Sequence, residues 1–257
     1  MGTHLYFSTQ IGTQKPVTIV NNGNSCPFCD VDGLENIIAR EDSIILLKNK
    51  YSTLKNTLQT VIIESDDCDS ELSTYKKDHL YKVIHFAIKN WLELELRKDF
   101  KSVILFKNHG PLSGGTIRHS HMQIVGLEQV DYKENIQLEC FEGATIYKDK
   151  NVEFNISSKP KMGFYEFNVV LHDMTAINNM ADCIQTAADY ILNHFHYKCE
   201  SYNLFFYHIN GIISCKIIPR FVTSPLYIGY SIPQVTDDIE QVAEKLKKFH
   251  QQKHKID

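Results

Sequence analysis

The sequence predicts an α+β chain built as two related halves. Three observations carry this. An order of helix, apolar strand, loop and strand occurs twice, about 100 residues apart, which is the mark of an internal repeat. The strands are short apolar runs bounded by turn residues, whereas the helices carry apolar residues at helical spacing. At 257 residues and 43% hydrophobic composition, the chain has room for two modest domains and can fill their cores. The expected halves are 1–135 and 136–257.

In the first half, Lys15-Pro16-Val17-Thr18-Ile19-Val20 reads as a strand. The polar cluster Asn21 to Ser25 then turns the chain into Cys26-Pro27-Phe28-Cys29. Ser43 to Leu47 and Leu58 to Glu64 read as strands, with a loop from Asn49 to Leu54, and Cys68 lies in a polar turn. Leu80, Val83, Ile84, Ala87, Ile88, Trp91 and Leu92 recur at helical spacing, with Ser73 as the expected N-cap. Ser102 to Phe106 reads as a buried strand and His119 to Val125 as its partner.

The second half offers strands at Ala144 to Lys148, Val152 to Ile156 and Phe164 to Leu171. A helix capped by Thr175 carries Ile177, Met180, Ala181, Ile184, Ala188, Ile191, Leu192 and Phe195. Tyr202 to Tyr207 and Ile212 to Ile218 follow, joined by a tight turn at Asn210-Gly211. After Thr236 comes an amphipathic helix through Ile239, Val242, Ala243, Leu246 and Phe249. His79, His85, His194, His196 and His208 read as structural or solvated residues.

The halves differ where chemistry is at stake. Between the paired strands, the first half has a long loop with Gly110, Gly114 and Gly115, followed by His119-Ser120-His121-Met122-Gln123. Side chains alternate along a strand, so His119, His121 and Gln123 project to one side. Glycines permit backbone angles that free N–H groups to hold an anion. Each feature alone is ordinary, since a lone strand histidine is usually hydrogen-bonded core and a glycine pair is usually a turn. Together they make a candidate site. The second half has only Asn210-Gly211 and Ser214-Cys215-Lys216 here, so it is expected to be a scaffold or substrate-binding half. Cys26 and Cys29, two residues apart, suit one metal ion with further ligands from elsewhere. A redox role needs a thioredoxin-like βαβ context that is not found, and two unrelated thiols are the remaining alternative.

Composition narrows the class. A net charge of -4 argues against a general nucleic-acid surface. No apolar run is long enough for a membrane span. Met1 to Tyr6 lacks a signal-peptide core and a myristoylation pattern. Seven cysteines is an odd number, which favours reduced thiols or metal ligands over disulfides. Together these features suggest a cytoplasmic protein.

Asn108, Gly110, Gly114, Thr116, His119, His121 and Gln123 match in order and spacing a known signature. It resembles the active site of the galactose-1-phosphate uridylyltransferases, a branch of the histidine-triad superfamily. Thr116 stands where that family usually has serine, Ser120 replaces a proline and Met122 a glycine. Hydrolase branches carry a third histidine where this chain has Gln123, which favours the transferase branch. The chain also resembles short, functionally uncharacterised relatives of that family. The resemblance implies two fused histidine-triad-like halves, each an antiparallel sheet packed with helices, of which the first is active.

It further implies a nucleotidyltransferase acting on nucleoside diphosphate sugars and sugar 1-phosphates. His121 is the expected nucleophile, forming a nucleotidyl-histidine, and Gln123 holds the phosphoryl group. Gly114, Gly115 and Thr116 cradle its oxygens and Asn108 orients the loop or substrate. Lys15, aligned with a basic Arg-Pro segment, meets the distal phosphate, unless it is a solvated surface lysine. Asn49 and Tyr51 align with a nucleoside pocket in which Lys50 replaces an acidic residue. Ser231 replaces an acidic residue linked to hexose binding. Cys26, Cys29, Cys68 and His119 correspond to a structural zinc site, while Ser214 and Lys216 stand where some members hold a second metal. A homodimer is implied, the second half completing the partner's pocket. The alternatives are a nucleoside diphosphate sugar or dinucleoside polyphosphate phosphorylase or hydrolase, and a non-catalytic nucleotide-binding zinc protein.

Overall fold

The computed structural model describes residues 4–19, 26–195 and 197–254. The chain divides into two compact units, one ending at Asn135 and the other beginning at Ile136.

In the first unit a short helix α1 (Thr9–Gly12) precedes β1 (Ile37–Glu41), β2 (Ile44–Lys48) and β3 (Thr57–Ile63). The long helix α2 (Lys77–Leu96) leads into β4 (Ser102–His109) and β5 (His121–Leu127). The strands lie in the order β1-β2-β3-β5-β4, every pair antiparallel. Helix α2 buries Leu80, Val83, Ile84, Phe86, Ala87, Ile88 and Trp91. Trp91 Nε1 donates to the Val103 carbonyl at 2.9 Å, which ties the helix to β4 while its ring fills the core.

Register decides what the sheet presents. His121 pairs with Ile63, which pairs with Ile45, and Gln123 pairs with Val61, which pairs with Leu47. Side chains directly opposite share a face. The apolar floor Ile45, Leu47, Val61 and Ile63 therefore continues into His121 and Gln123. Phe28, Val31 and Leu34 pack against that floor.

The second unit contains β6 (Gly143–Lys148), β7 (Val152–Ser157), β8 (Gly163–Phe164), β9 (Phe167–Leu171), α3 (Ile177–Asp189), β10 (Tyr202–Ile209) and β11 (Ile212–Pro219). It ends with α4 (Pro225–Tyr230), β12 (Gln234–Val235) and α5 (Ile239–Lys253). Its main sheet runs β6-β7-β9-β11-β10, again antiparallel throughout. Two strands, a third, a helix and a hairpin thus recur with the same strand order in both units, and the fold is α+β. Strands β8 and β12 form a separate parallel pair. Among the described residues no helix is long and apolar enough to cross a membrane.

Several local expectations are corrected. Residues 15–19 form no strand; Thr18 N–H and Ile19 N–H both go to the single Thr116 carbonyl, at 2.8 and 3.1 Å, instead of a ladder. Val20, the cluster Asn21 to Ser25 and His196 lie outside the described residues. Strand β5 begins at His121, so His119 and Ser120 precede it. Ser73 does not cap α2, because Glu71 caps a short 3-10 turn from Leu72 to Thr74 and the helix starts four residues after Ser73. Thr175 likewise lies in a 3-10 turn capped by Asp173. The run Phe164 to Leu171 is broken: Phe164 has φ 59°, and the buried Glu166 carboxylate accepts the N–H groups of Lys161 and Met162 at 2.9 and 2.7 Å. Strand β1 was not expected. It is a solvent-facing strand with Ile37 and Ile38 exposed, so it shows no alternation to read.

Candidate active site

Lined by Phe28 and the glycine loop, the first unit holds an open pocket of roughly 780 Å³. Lys15, Asn49, Tyr51, Asn108, Gly114, Gly115, Thr116, His121 and Gln123 all line it. Every residue expected to meet substrate is thus gathered on one wall or another of a single space. That volume is within the range of small-molecule sites.

The glycine loop has a built turn at its start. Ser113 donates N–H and Oγ–H to the Gly110 carbonyl, at 3.2 and 2.6 Å. Gly114 sits at φ 86°, in the left-handed region that penalises other residues. At Gly115 a Cβ would come 3.2 Å from Asn108 Cβ, so this glycine lets the loop lie against β4. Its N–H is committed to Ser113 Oγ at 3.2 Å. The N–H groups of Gly114 and Thr116 have no hydrogen-bond partner among the described residues, and they are the amides available to an anion. After the loop, Thr18 fastens the chain: its Oγ1 accepts the Arg118 N–H at 3.0 Å while its own N–H meets Thr116 O. That clamp holds Lys15 near the loop. Burial lowers the Lys15 pKa from its ordinary value.

His121 is 7% exposed. Its Nδ1 lies 2.8 Å from the His119 carbonyl. A carbonyl can only accept, so Nδ1 carries the proton and Nε2 keeps its lone pair. Burial, partly opposed by that backbone hydrogen bond, pushes the imidazole pKa down to about 4, so the ring is neutral at pH 7. Phe28 meets it edge-on at 5.4 Å between ring centroids and meets His119 at 5.9 Å. The side-chain amide of Gln123, two residues on, has no partner among the described residues. Asn49 Oδ1 accepts the Tyr51 N–H at 2.9 Å, which fixes the loop that carries both.

Cys26, Cys29, Cys68 and His119 bring their ligand atoms within 4.8 Å of one another. His119 Nδ1 lies 3.6 Å from the sulfur of Cys26 and of Cys29. A tetrahedral zinc with Zn–S of about 2.3 Å and Zn–N of about 2.0 Å separates sulfur and nitrogen by about 3.5 Å, close to what is seen here. His119 Nε2 donates to the Ser65 carbonyl at 2.8 Å, which aims the Nδ1 lone pair at the thiols. Burial and the crowding of neighbouring thiols push Cys68 up to about 12 and raise Cys29 as well. A divalent cation relieves such crowding by taking the sulfurs as thiolates. The donor set and its spacing therefore fit a metal ion.

In the second unit, Ser214 and Lys216 both lie on β11. Lys216 is fully buried, its Nζ 2.8 Å from Glu166 and 2.7 Å from the Cys140 carbonyl that accepts from it. Sequence reasoning missed Phe28, Thr18 and the buried partners behind His119 and His121. Phe28 lies inside the Cys-x-x-Cys motif, and its aromatic character was the available signal.

Models of the N-terminal and C-terminal domains of DUF4931, a domain of unknown function, match residues 7–130 and 133–250. A crystal structure of a DUF4931 family protein from Bacillus cereus is 50% identical, covers 83% of this chain and 98% of that one, and superposes with a TM-score of 0.77. A uridylyltransferase structure is 15% identical, covering 90% and 93%, with a TM-score of 0.72. An ADP-glucose phosphorylase from Arabidopsis thaliana, solved with bound ADP-glucose, is 16% identical, covering 94% of each chain, with a TM-score of 0.71. A curated relative, a di-/tripeptide transporter of Lactobacillus helveticus, is 27% identical over 105 residues, spanning 41% of this chain and 21% of that protein. The chain belongs to the DUF4931 family, on a fold shared with the uridylyltransferase and the ADP-glucose phosphorylase.

Proposed function

We propose that the protein is a nucleotidyltransferase that moves a nucleoside monophosphate between a nucleoside diphosphate sugar and a sugar 1-phosphate. The observation that carries this is His121: neutral, its Nδ1–H held by the His119 carbonyl, lining a cavity beside Gln123 and the glycine loop. A fixed tautomer with an open Nε2 is what in-line attack on phosphorus requires. Nε2 attacks the α-phosphorus. The bond to the bridging oxygen breaks, and the sugar phosphate leaves with the electron pair, stable as an anion without a proton. The Nδ1–H stays on the His119 carbonyl, which supports the positive charge that the ring gains. In the second step an acceptor phosphate oxygen attacks, the N–P bond breaks, and the ring returns to neutral.

The amides of Gly114 and Thr116, with the Thr116 hydroxyl, receive the developing charge on the phosphoryl oxygens. Lys15 answers the distal phosphate. Gln123 donates a hydrogen bond to the phosphoryl group but has no titratable proton to give, which disfavours hydrolysis. Asn108 orients the loop or the substrate, and Asn49 and Tyr51 flank the nucleoside. Zinc is the proposed ion for Cys26, Cys29, Cys68 and His119. It supplies a structural crosslink that orients His119 and the strand start beyond it. The second half serves as a scaffold or as a substrate-binding half. Val222, Ile228, Tyr230 and Ile232 are exposed there, which supports pairing of two copies.

The test is a panel of nucleoside diphosphate sugars and dinucleoside polyphosphates, each with a sugar 1-phosphate or inorganic phosphate as acceptor. Exchange into a sugar 1-phosphate, abolished in His121→Ala with metal content retained, is the expected result. Steady release of nucleoside monophosphate with no acceptor, or no turnover of any donor, would contradict it.

A further inference from the structure

Behind the His119–His121 segment lies a set of buried side chains that the proposed reaction does not use. Lys107 on β4 is 1% exposed, and Glu64, just past β3, is 0% exposed. Lys107 Nζ donates to Glu64 Oε1 at 2.5 Å and to Ser120 Oγ at 2.6 Å. Ser120 Oγ–H donates to Glu64 Oε2 at 3.0 Å, and the Tyr75 hydroxyl donates to the same oxygen at 3.0 Å. The backbone joins in. Glu64 N–H donates to the Ser120 carbonyl at 3.2 Å, and the next carbonyl, that of Ser65, holds the His119 ring.

Taking an ammonium and a carboxylate out of water is unfavourable, and apolar side chains of similar volume are often as stable or more so. The pair therefore does not explain itself as a source of stability. An apolar pair would also leave Ser120 unheld. Ser120 is the residue between the metal-cluster histidine and the neutral imidazole of the cavity. Its hydroxyl is gripped by both charges and its carbonyl by the Glu64 amide, while its side chain points away from the cavity that His121 lines.

We propose that Lys107 and Glu64 are positioning residues: by clamping Ser120 from behind they fix where the His121 ring stands against the cavity. Neither touches the substrate; both act through Ser120. This inference rests on the reading of His121 as the nucleophile. It adds a reason for a serine between the two histidines.

Two variants test it in the metal-loaded, full-length protein. Ser120→Ala cuts the link and leaves the ion pair in place. Glu64→Leu/Lys107→Met removes both charges together and leaves the Ser120 hydroxyl without either of them. Both are expected to lower kcat about 10- to 100-fold with KM nearly unchanged, since a misplacement of about 1 Å has effects of that size. Metal content should stay at the wild-type level, with rates compared where every variant is on its native baseline. A purely structural role would leave kcat untouched under those conditions, and wild-type kcat in both variants overturns the inference. If the unaltered protein transfers no nucleotide, the proposed reaction fails, and the placement of His121 is read without substrate. Diethyl pyrocarbonate then reports the reactivity of His121 by peptide mass mapping. An altered rate at His121 in both variants supports the clamp, and equal rates in wild type and variants overturn it.

Discussion

Lys107→Met should destabilise the first unit strongly, and its penalty should depend on pH. Lys107 is 1% exposed and contributes two hydrogen bonds to a carboxylate–hydroxyl network that is equally buried. Removing it leaves the Glu64 carboxylate in a low-dielectric core, hydrogen-bonded by the Tyr75 and Ser120 hydroxyls but without its ammonium partner. Breaking one partner from a buried pair costs about 3–5 kcal/mol. For a chain of this size that is a fall in Tm of roughly 10 °C. In the intact protein burial pushes the Glu64 carboxyl up, but the Lys107 ammonium and the two hydroxyls outweigh it and hold it below the ordinary carboxylate range. A carboxylate with a depressed folded pKa adds stability above its unfolded pKa and loses it as pH falls through the folded value. Without Lys107 the sign reverses: burial raises Glu64 above its unfolded value, so the variant is penalised most at high pH and least once Glu64 takes a proton. Thermal denaturation followed by circular dichroism at pH 8 and pH 5, with metal in excess, makes the comparison. The expected Tm loss is about 10 °C at pH 8 and clearly smaller at pH 5. A loss of about 2 °C or less at pH 8, or one independent of pH, would refute the reasoning.

Three further outcomes are expected. The purified protein should hold about one zinc per chain, and Cys68→Ala should lower both zinc content and Tm; full occupancy in Cys26→Ala/Cys29→Ala would rule out the site. Sedimentation at micromolar concentration should show a homodimer, and a fully active monomer would remove the proposed pairing of copies. Gln123→His should raise the ratio of hydrolysis to transfer by placing a titratable group beside the leaving oxygen, and an unchanged ratio would contradict the role given to Gln123.

Local signals carried much of the fold and most of the candidate site. His121 and Gln123 share a face because strand side chains alternate, and the register through Ile63 and Val61 follows from which face is apolar. The glycine loop was legible because Gly114 takes an angle that favours glycine. The pairing of Lys107 with Glu64 spans 43 positions, and no periodicity in either strand says that two charges will meet behind a sheet. Thr18 was read within a strand because Val17, Thr18 and Ile19 have strand character. Its hydrogen bonds instead go to Thr116 and Arg118, a tertiary clamp that local pattern does not encode. Strand β1 hides for the opposite reason: with both faces largely solvated, it carries no alternation.

The central claim is that His121 Nε2 forms a covalent bond to phosphorus. Intact-mass measurement tests it most directly, with protein incubated with a productive nucleotide donor and no acceptor. The chain should gain the mass of one nucleoside monophosphate, lose it on mild acid treatment as a phosphoramidate does, and keep it in base. His121→Ala should show no adduct and no turnover while holding its metal. Normal turnover by His121→Ala would contradict the claim outright.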